Sequence, residues 1–161
     1  MPVLQLWITH DDCQLRPVPA EGAGDQAAPL FAVSLGIELE ALAARVLRHT
    51  PPTGAQMEQA IMELEDAIAP HIALARACHA LPLQVMGDAW AQPLLQQMRG
   101  LSPAHVVSTQ QWEQVFERLT RLVEGAPIAS AGVPLEMPLW VAVVLVRELL
   151  HHAGFAQVQI G

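Results

Sequence analysis

Short apolar runs that are typical of strands alternate along this chain with amphipathic helical segments, and this order limits the possible folds most. The strand-like runs span Val3 to Ile8, Gln14 to Val18, Leu83 to Met86 and Phe155 to Ile160. Between them, apolar residues recur every three or four positions, as on the buried face of a helix. Strands at both ends and in the middle, with helices between, predict one α/β or α+β domain over residues 1–161, with more helix than strand.

Prolines bound the helices predicted in the first half of the chain. The segment Ile37 to Leu47 has one apolar face and must end before Pro51-Pro52. Thr53 can cap a second helix, which Pro70 kinks or breaks. The helical pattern resumes from His71 to His79.

Capping residues mark three further helices in the second half. After the strand Leu83 to Met86, Asp88 is a natural N-cap for a helix Ala89 to Met98, and Gly100 would end it. Ser108 and Gln111 have the spacing of a capping box for a helix from Thr109 to Val123. The segment Leu139 to His152 is apolar almost all round in its first half, which predicts a central buried helix ended by Gly154.

The charge of the chain argues against anionic partners. Its basic residues are eight arginines, with no lysine, against sixteen acidic residues, and the net charge is -8. Nucleic acid and anionic membranes are repelled at long range by such a chain, so we expect neither as a partner. Charged residues make up 15% and hydrophobic residues 52% of the chain, which favours a homo-oligomer or a protein partner that covers apolar surface.

The remaining bulk features predict a cytoplasmic protein. No signal-peptide pattern is visible, and the longest apolar run, Leu139 to Val146, is far shorter than the roughly 20 residues that span a bilayer. Cys13 and Cys78 are expected to be free buried thiols. The polar, glycine-bearing stretch Pro19 to Pro29 predicts a surface loop.

A series of short motifs in fixed order covers most of the chain. They are Leu35-Gly36, Pro51-Pro52-Thr53, the strand, turn and helix of Leu83 to Met98, the leucine-rich helix of Trp112 to Val123, Gly132-Val133-Pro134-Leu135-Glu136, and Leu139 to Gly154 before the last strand. This order resembles the second actin-like domain of the exopolyphosphatase and guanosine pentaphosphate phosphohydrolase family. The resemblance implies an α/β domain of the ribonuclease-H-like, actin-like ATPase type, with a mixed sheet and packed helices.

The chain departs from the family pattern where the family binds phosphate. No aspartate- and glycine-rich loop precedes Val3, Leu39 stands where the family has an arginine, and the second glycine-rich loop is reduced to Gly87-Asp88. The family's arginine-alanine-aspartate step is replaced by Met137-Pro138-Leu139. We expect residues 1–161 to hold no counterpart of the family's first domain, which carries the catalytic glutamate. A phosphate cradle needs several converging backbone N–H groups, which glycines permit. The Asp88 carboxylate would instead cap the helix and repel phosphate.

The resemblance without these loops predicts a non-catalytic binding or regulatory module, with no catalytic residue, cofactor or metal. Its leftover cleft would lie near Gly36, Gly87, Asp88 and Trp90, where it could contact a protein partner or a phosphate-containing small molecule. We expect Trp90 to fill the old cleft rather than to stack on a ligand. The alternative is a phosphoanhydride or phosphate-ester hydrolase completed by a second subunit, with carboxylates supplied by Glu38, Glu63 or Asp88. It requires at least two of Asp11, Asp12, Glu38 and Asp88 within about 4 to 5 Å.

Other polar clusters have simpler structural interpretations. His10 to Cys13 offer metal-ligand types, but a hairpin turn is favoured because aspartate is common there. His71, Cys78 and His79 lack the paired spacing of a zinc site, and Cys78 lacks the flanking motif of a nucleophile. His151-His152 would meet the dipole at the end of the central helix. The four tryptophans are expected to be core or interface anchors: Trp7, Trp90, Trp112 and Trp140.

Overall fold

A computed structural model describes residues 2–19, 32–102, 104 and 106–161, and within them six strands form one sheet. The strands lie in the order β3-β2-β1-β4-β6-β5. Their bounds are β1 Val3–Ile8, β2 Cys13–Val18, β3 Val33–Ser34, β4 Leu83–Gly87, β5 Val106–Ser108 and β6 Gln157–Ile160. The loop predicted for Pro19 to Pro29 lies, apart from Pro19, outside the described residues.

The pairing of the strands makes the sheet mixed and brings several carboxyl ends to one edge. Strand β1 is antiparallel to β2 and parallel to β4, which is parallel to β6. Strand β3 is antiparallel to β2 and therefore runs in the same direction as β1, while β5 is antiparallel to β6. The carboxyl ends of β1, β3, β4 and β6 consequently face the same edge. In open α/β sheets, ligands bind outside such an edge.

The helices gather around one buried helix near the end of the chain. Helix α7 packs against α1, α2, α3, α4 and α5, and most of its residues are buried. The bounds are α1 Leu39–Val46, α2 Gly54–Ile68, α3 Ile72–Ala77, α4 Gln92–Leu101, α5 Thr109–Val123, α6 Ile128–Ala131 and α7 Met137–Ala153. A 3-10 turn, Ala69–His71, joins α2 to α3, where Pro70 breaks the helix as expected.

The two faces of the sheet differ. On β1, Leu4, Leu6 and Ile8 are buried in the main core, whereas the alternate residues carry polar or half-buried side chains. On that second face, Arg16 Nε donates to Gln5 Oε1 at 3.0 Å, and Gln5 Nε2 donates to Gln84 Oε1 at 2.7 Å. A line of hydrogen bonds thus joins the side chains of three adjacent strands.

Capping residues predicted from the sequence hold the ends of several helices. Both capping boxes are formed: Thr53 with Gln56 begins α2, and Ser108 with Gln111 begins α5. Gly154 ends α7 with a left-handed φ of 79°, a conformation that glycine adopts readily.

The structure corrects the predicted start and end of α4. This helix begins at Gln92 after the N-cap Ala91, not at Ala89 after Asp88, because residues 88 to 91 form a separate turn. Gly100 lies inside the helix, which continues to the buried Leu101. The sequence interpretation also missed the short strands β3 and β5. No helix in the described part of the chain is long and apolar enough to cross a membrane.

Candidate functional site

The predicted cleft residues lie along the edge where the parallel strands end. Gly87 is the last residue of β4, with Asp88 and Trp90 in the following turn, and Gly36 follows β3. The turn between β1 and β2 contacts both groups: Ile8 O accepts a hydrogen bond from Asp88 N at 3.2 Å, and Asp12 Oδ1 accepts one from Gly36 N at 3.2 Å.

Gly87 has a packing role that leaves no room for a ligand. A Cβ at this residue would lie 2.4 Å from Ala91 Cβ and 2.6 Å from the Ile8 carbonyl oxygen. The end of β4 therefore packs directly against the end of β1 and the start of α4. Glycine at this position permits the close approach of the two strand ends.

Two aspartate carboxylates accept hydrogen bonds from the backbone N–H groups that an anion would use. Asp88 Oδ1 accepts from Ala91 N at 3.1 Å, and Asp12 Oδ1 accepts from Gly36 N, which Ser34 Oγ also contacts at 3.1 Å. Gly36 has a φ of 65°, which glycine adopts without strain. A phosphate at this edge would have to displace a carboxylate from each N–H group.

The side chains around this edge are mainly acidic. We call the group formed by Asp11, Asp12, Glu38, Glu40 and Asp88 the acidic edge. His10 lies among them, with Nδ1 2.6 Å from Asp11 Oδ1 and Nε2 4.0 Å from Glu40 Oε2. The hydrogen bond and charge of Asp11, with smaller contributions from Glu40 and Glu38, raise the pKa of His10. The field at the edge therefore favours cations over anions.

Trp90 closes the acidic edge from the side of α4. It is half-buried and packs against the hydrophobic core. The His10 ring meets it edge-on, with ring centroids 5.4 Å apart and an interplanar angle of 87°. Trp90 therefore has packing partners at this edge, and its cleft-filling role stays a prediction.

A small groove of about 190 Å³ lies beside Gly36, between α1 and α2. Arg45, the one arginine among the described residues that line it, is engaged by Glu63 through two hydrogen bonds of 2.9 and 2.6 Å. These bonds lower the pKa of Glu63 and raise that of Arg45. Glu38 also lines the groove, so the part of the lining that the structure describes offers an anion no unpaired positive charge.

The carboxylates proposed for the hydrolase alternative do not assemble into a three-ligand centre in the described ranges. Glu63 is paired with Arg45, and Asp88 is held in its turn. Among the described residues, three metal-ligand atoms within 4.8 Å of one another belong to Glu65, Glu148 and His152. The sequence interpretation assigned none of the three to a metal site, and it expected His152 only to meet the dipole of α7.

The hairpin interpretation of His10 to Cys13 is supported by the turn between β1 and β2. Thr9 N donates to Asp12 O at 2.9 Å, and Cys13 begins β2 with its side chain in the core. His71 ends a 3-10 turn, and Cys78 follows α3 as a free thiol that is half-buried rather than buried as expected. His79 Nδ1 is 2.7 Å from the Arg76 carbonyl oxygen.

The two free cysteines should differ in reactivity. Cys13 is buried, and desolvation raises the pKa of its thiol above the ordinary value, whereas Cys78 is half-buried at the end of α3. The thiolate is the reactive form, so we expect Cys78 to react much faster with a thiol reagent. The native chain should label with one fast and one slow thiol. The control variant Cys78→Ser, which keeps only Cys13, should show the slow reaction alone. Fast labelling of Cys78→Ser would contradict the buried placement of Cys13.

The histidines and tryptophans at other positions make specific contacts. His151 and His152 lie in the last turn of α7, as predicted. His151 also pairs with Glu113, and His152 lies near Glu65 and Glu148. Trp112 and Trp140 are fully buried core residues, as expected. Trp7 lies on the second face of the sheet, where the Arg16 guanidinium stacks 3.7 Å from its ring centroid.

The fold is an α/β architecture shared with exopolyphosphatase-type structures. The chain aligns with the "PPX-GPPA enzyme" of Aquifex aeolicus at a TM-score of 0.62 and 11% identity, over 99% of this chain and 52% of that one. An exopolyphosphatase from Cytophaga hutchinsonii aligns at a TM-score of 0.59 and 15% identity, over 97% and 51%. An exopolyphosphatase-like protein aligns at a TM-score of 0.64 and 13% identity, over 95% of this chain and 50% of that one.

The structural neighbours are thus Ppx/GppA exopolyphosphatases with actin-like ATPase-type domains, and the resemblance inferred from the sequence is confirmed at the level of the fold. The chain spans about half the length of these neighbours. Coverage of about half of each neighbour agrees with the expectation that this chain corresponds to one actin-like domain of such a protein. No protein-family model matches the sequence, and no curated protein matches it.

Proposed function

We propose that this chain is a non-catalytic binding or regulatory module built on an exopolyphosphatase-type fold. The observation that carries this proposal is the hydrogen bonding at the sheet edge, where Asp88 and Asp12 accept from the N–H groups of Ala91 and Gly36. An oxyanion needs those donors free and a positive local field. The acidic edge supplies the opposite sign.

A protein is the favoured partner, either a second copy of this chain or a different protein. The contact would lie along Gly36, Gly87, Asp88 and Trp90, where a neutral or cationic group meets the acidic edge favourably. Two free cysteines are compatible with the cytoplasmic, reducing location that we propose. We expect self-association to be measurable by sedimentation, and a monomer would shift the proposal to a different protein partner.

The experiment that tests the proposal is a thermal-shift screen of the purified chain with phosphate release measured in the same wells. The panel contains nucleotides, guanosine tetraphosphate, short polyphosphate and divalent metals. A ligand that binds the native state raises the melting temperature. Because the acidic edge disfavours anions, we expect no anion-dependent shift and no phosphate release. Phosphate release would instead support the hydrolase completed by a second subunit.

If an anion does produce a thermal shift, the variant Asp88→Asn tests whether that anion binds at the acidic edge. The substitution removes one negative charge from the edge and weakens the contact with Ala91 N. An anion bound there should therefore bind more tightly to the variant. Unchanged affinity would place that anion elsewhere on the chain.

A further inference from the structure

Three potential metal ligands converge near the end of α7, away from the acidic edge. Glu148 and His152 lie four residues apart on α7, so they share one helical face, and Glu65 approaches from α2. His152 Nε2 is 3.1 Å from Glu65 Oε1 and 3.4 Å from Glu148 Oε2. Helix α7 leads into the amino end of β6, whereas the acidic edge lies at the carboxyl ends of the parallel strands.

Glu148 is unusual because its carboxylate is buried, with only 3% of the side chain exposed. Arg147 Nη1 binds Oε1 at 2.6 Å, and Oε2 is directed towards His152. A buried carboxylate is costly unless its charge is compensated. One imidazole Nε2 carries at most one proton, so it cannot fully serve both Glu148 and Glu65.

The distances within the group suit a tetrahedral ion. Zinc lies about 2.0–2.2 Å from nitrogen and oxygen ligands, which puts neighbouring ligand atoms in a tetrahedron about 3.3–3.6 Å apart. The two distances from His152 Nε2, 3.1 and 3.4 Å, are close to that value. Only small side-chain movements would be needed to place a cation among the three groups.

The ligand types favour a transition metal over magnesium or calcium. Mg²⁺ and Ca²⁺ prefer six or more oxygen ligands, whereas imidazole with carboxylates suits Zn²⁺ and similar ions. A surface depression of about 340 Å³, lined in part by Glu65 and His152, gives the group access to solvent. That access would leave a fourth coordination position for water.

We infer a binding site for a divalent cation of the zinc class, formed by Glu65, Glu148 and His152. The cation compensates the two carboxylates and cross-links α2 to α7. The site is independent of the proposed function, because none of its ligands belongs to the acidic edge. It would also give Glu148, the charged residue on the buried face of the central helix, a second cationic partner besides Arg147.

The test is a Zn²⁺ titration of the untagged, chelator-treated full chain by calorimetry, followed by Co²⁺ absorption spectroscopy. We expect one saturable equivalent of Zn²⁺ and the intense visible bands of four-coordinate Co²⁺. His152→Gln should weaken Zn²⁺ affinity at least tenfold and remove those bands. His151→Gln is the matched control, because its side chain pairs with Glu113 and should leave affinity unchanged.

A second variant keeps the test independent of folding defects. Glu65 is half-exposed, so Glu65→Gln should retain the native circular dichroism spectrum while also weakening Zn²⁺ binding at least tenfold. Asp66→Asn, at the rim of the same depression, should bind like the parent. The inference is overturned if Zn²⁺ does not saturate at one equivalent, or if folded His152→Gln and Glu65→Gln bind it as tightly as the parent.

Discussion

Replacing Gly87 with alanine should lower the free energy of unfolding by about 1–3 kcal/mol, the usual cost of overpacking a rigid site. The added methyl group would lie 2.6 Å from the Ile8 carbonyl oxygen, which already accepts a hydrogen bond from Asp88 N. Relief would require β1 and β4 to separate at the acidic edge. Urea denaturation of the variant and the parent measures the difference.

Gly100→Ala is the matched control for this substitution. Gly100 is exposed inside α4, and a Cβ there would meet nothing within 4 Å. Alanine should therefore raise stability by about 0.5–1 kcal/mol, because glycine is the poorer helix former. If Gly87→Ala were as stable as Gly100→Ala, the close packing of β4 on β1 would be wrong.

Trp112→Ala should have the largest effect on stability, a loss of about 3–5 kcal/mol. The side chain has 0% exposure between α5 and α7, and its Nε1 donates to the Val143 carbonyl oxygen at 3.1 Å. Truncation removes a large apolar contact and one buried hydrogen bond. Thermal or urea unfolding followed by circular dichroism gives the magnitude.

Trp7→Ala is the comparison for Trp112→Ala. Trp7 is half-buried on the second face of the sheet, beneath the Arg16 guanidinium, so its truncation should cost clearly less. Equal losses in the two variants would mean that α5 does not pack on α7 as described.

Local signals explain which parts of the fold were predictable. Ser108 and Gln111 form the capping box that their spacing indicates, and Gly154 ends α7 where the apolar pattern stops. The edge strands β3 and β5 have two and three residues, too few for a visible alternation. Asp88 has the chemistry of an N-cap, but the close packing at Gly87 inserts a turn before α4 begins.

The candidate site was predictable only in part, because the sequence pattern reveals neighbours along the chain but not contacts between distant segments. Gly87, Asp88 and Trp90 are neighbours in sequence, so one motif located all three. The contact between Asp12 and Gly36 spans 24 positions and depends on strand order, which no local pattern reveals. Glu148 did leave a signal, a charged residue within an apolar helix, but Glu65, which lies in the same group of ligand atoms, is far away in sequence.

The central position of α7 has a consequence for how the protein unfolds. Since α7 is the shared neighbour of α1 to α5, separating it would expose the inner surfaces of all five helices together. Partial opening that frees α7 alone would therefore cost nearly as much as complete unfolding. Amide hydrogens in the middle of α7 should exchange with solvent only through the global transition, and their protection would report the cooperativity of the whole chain.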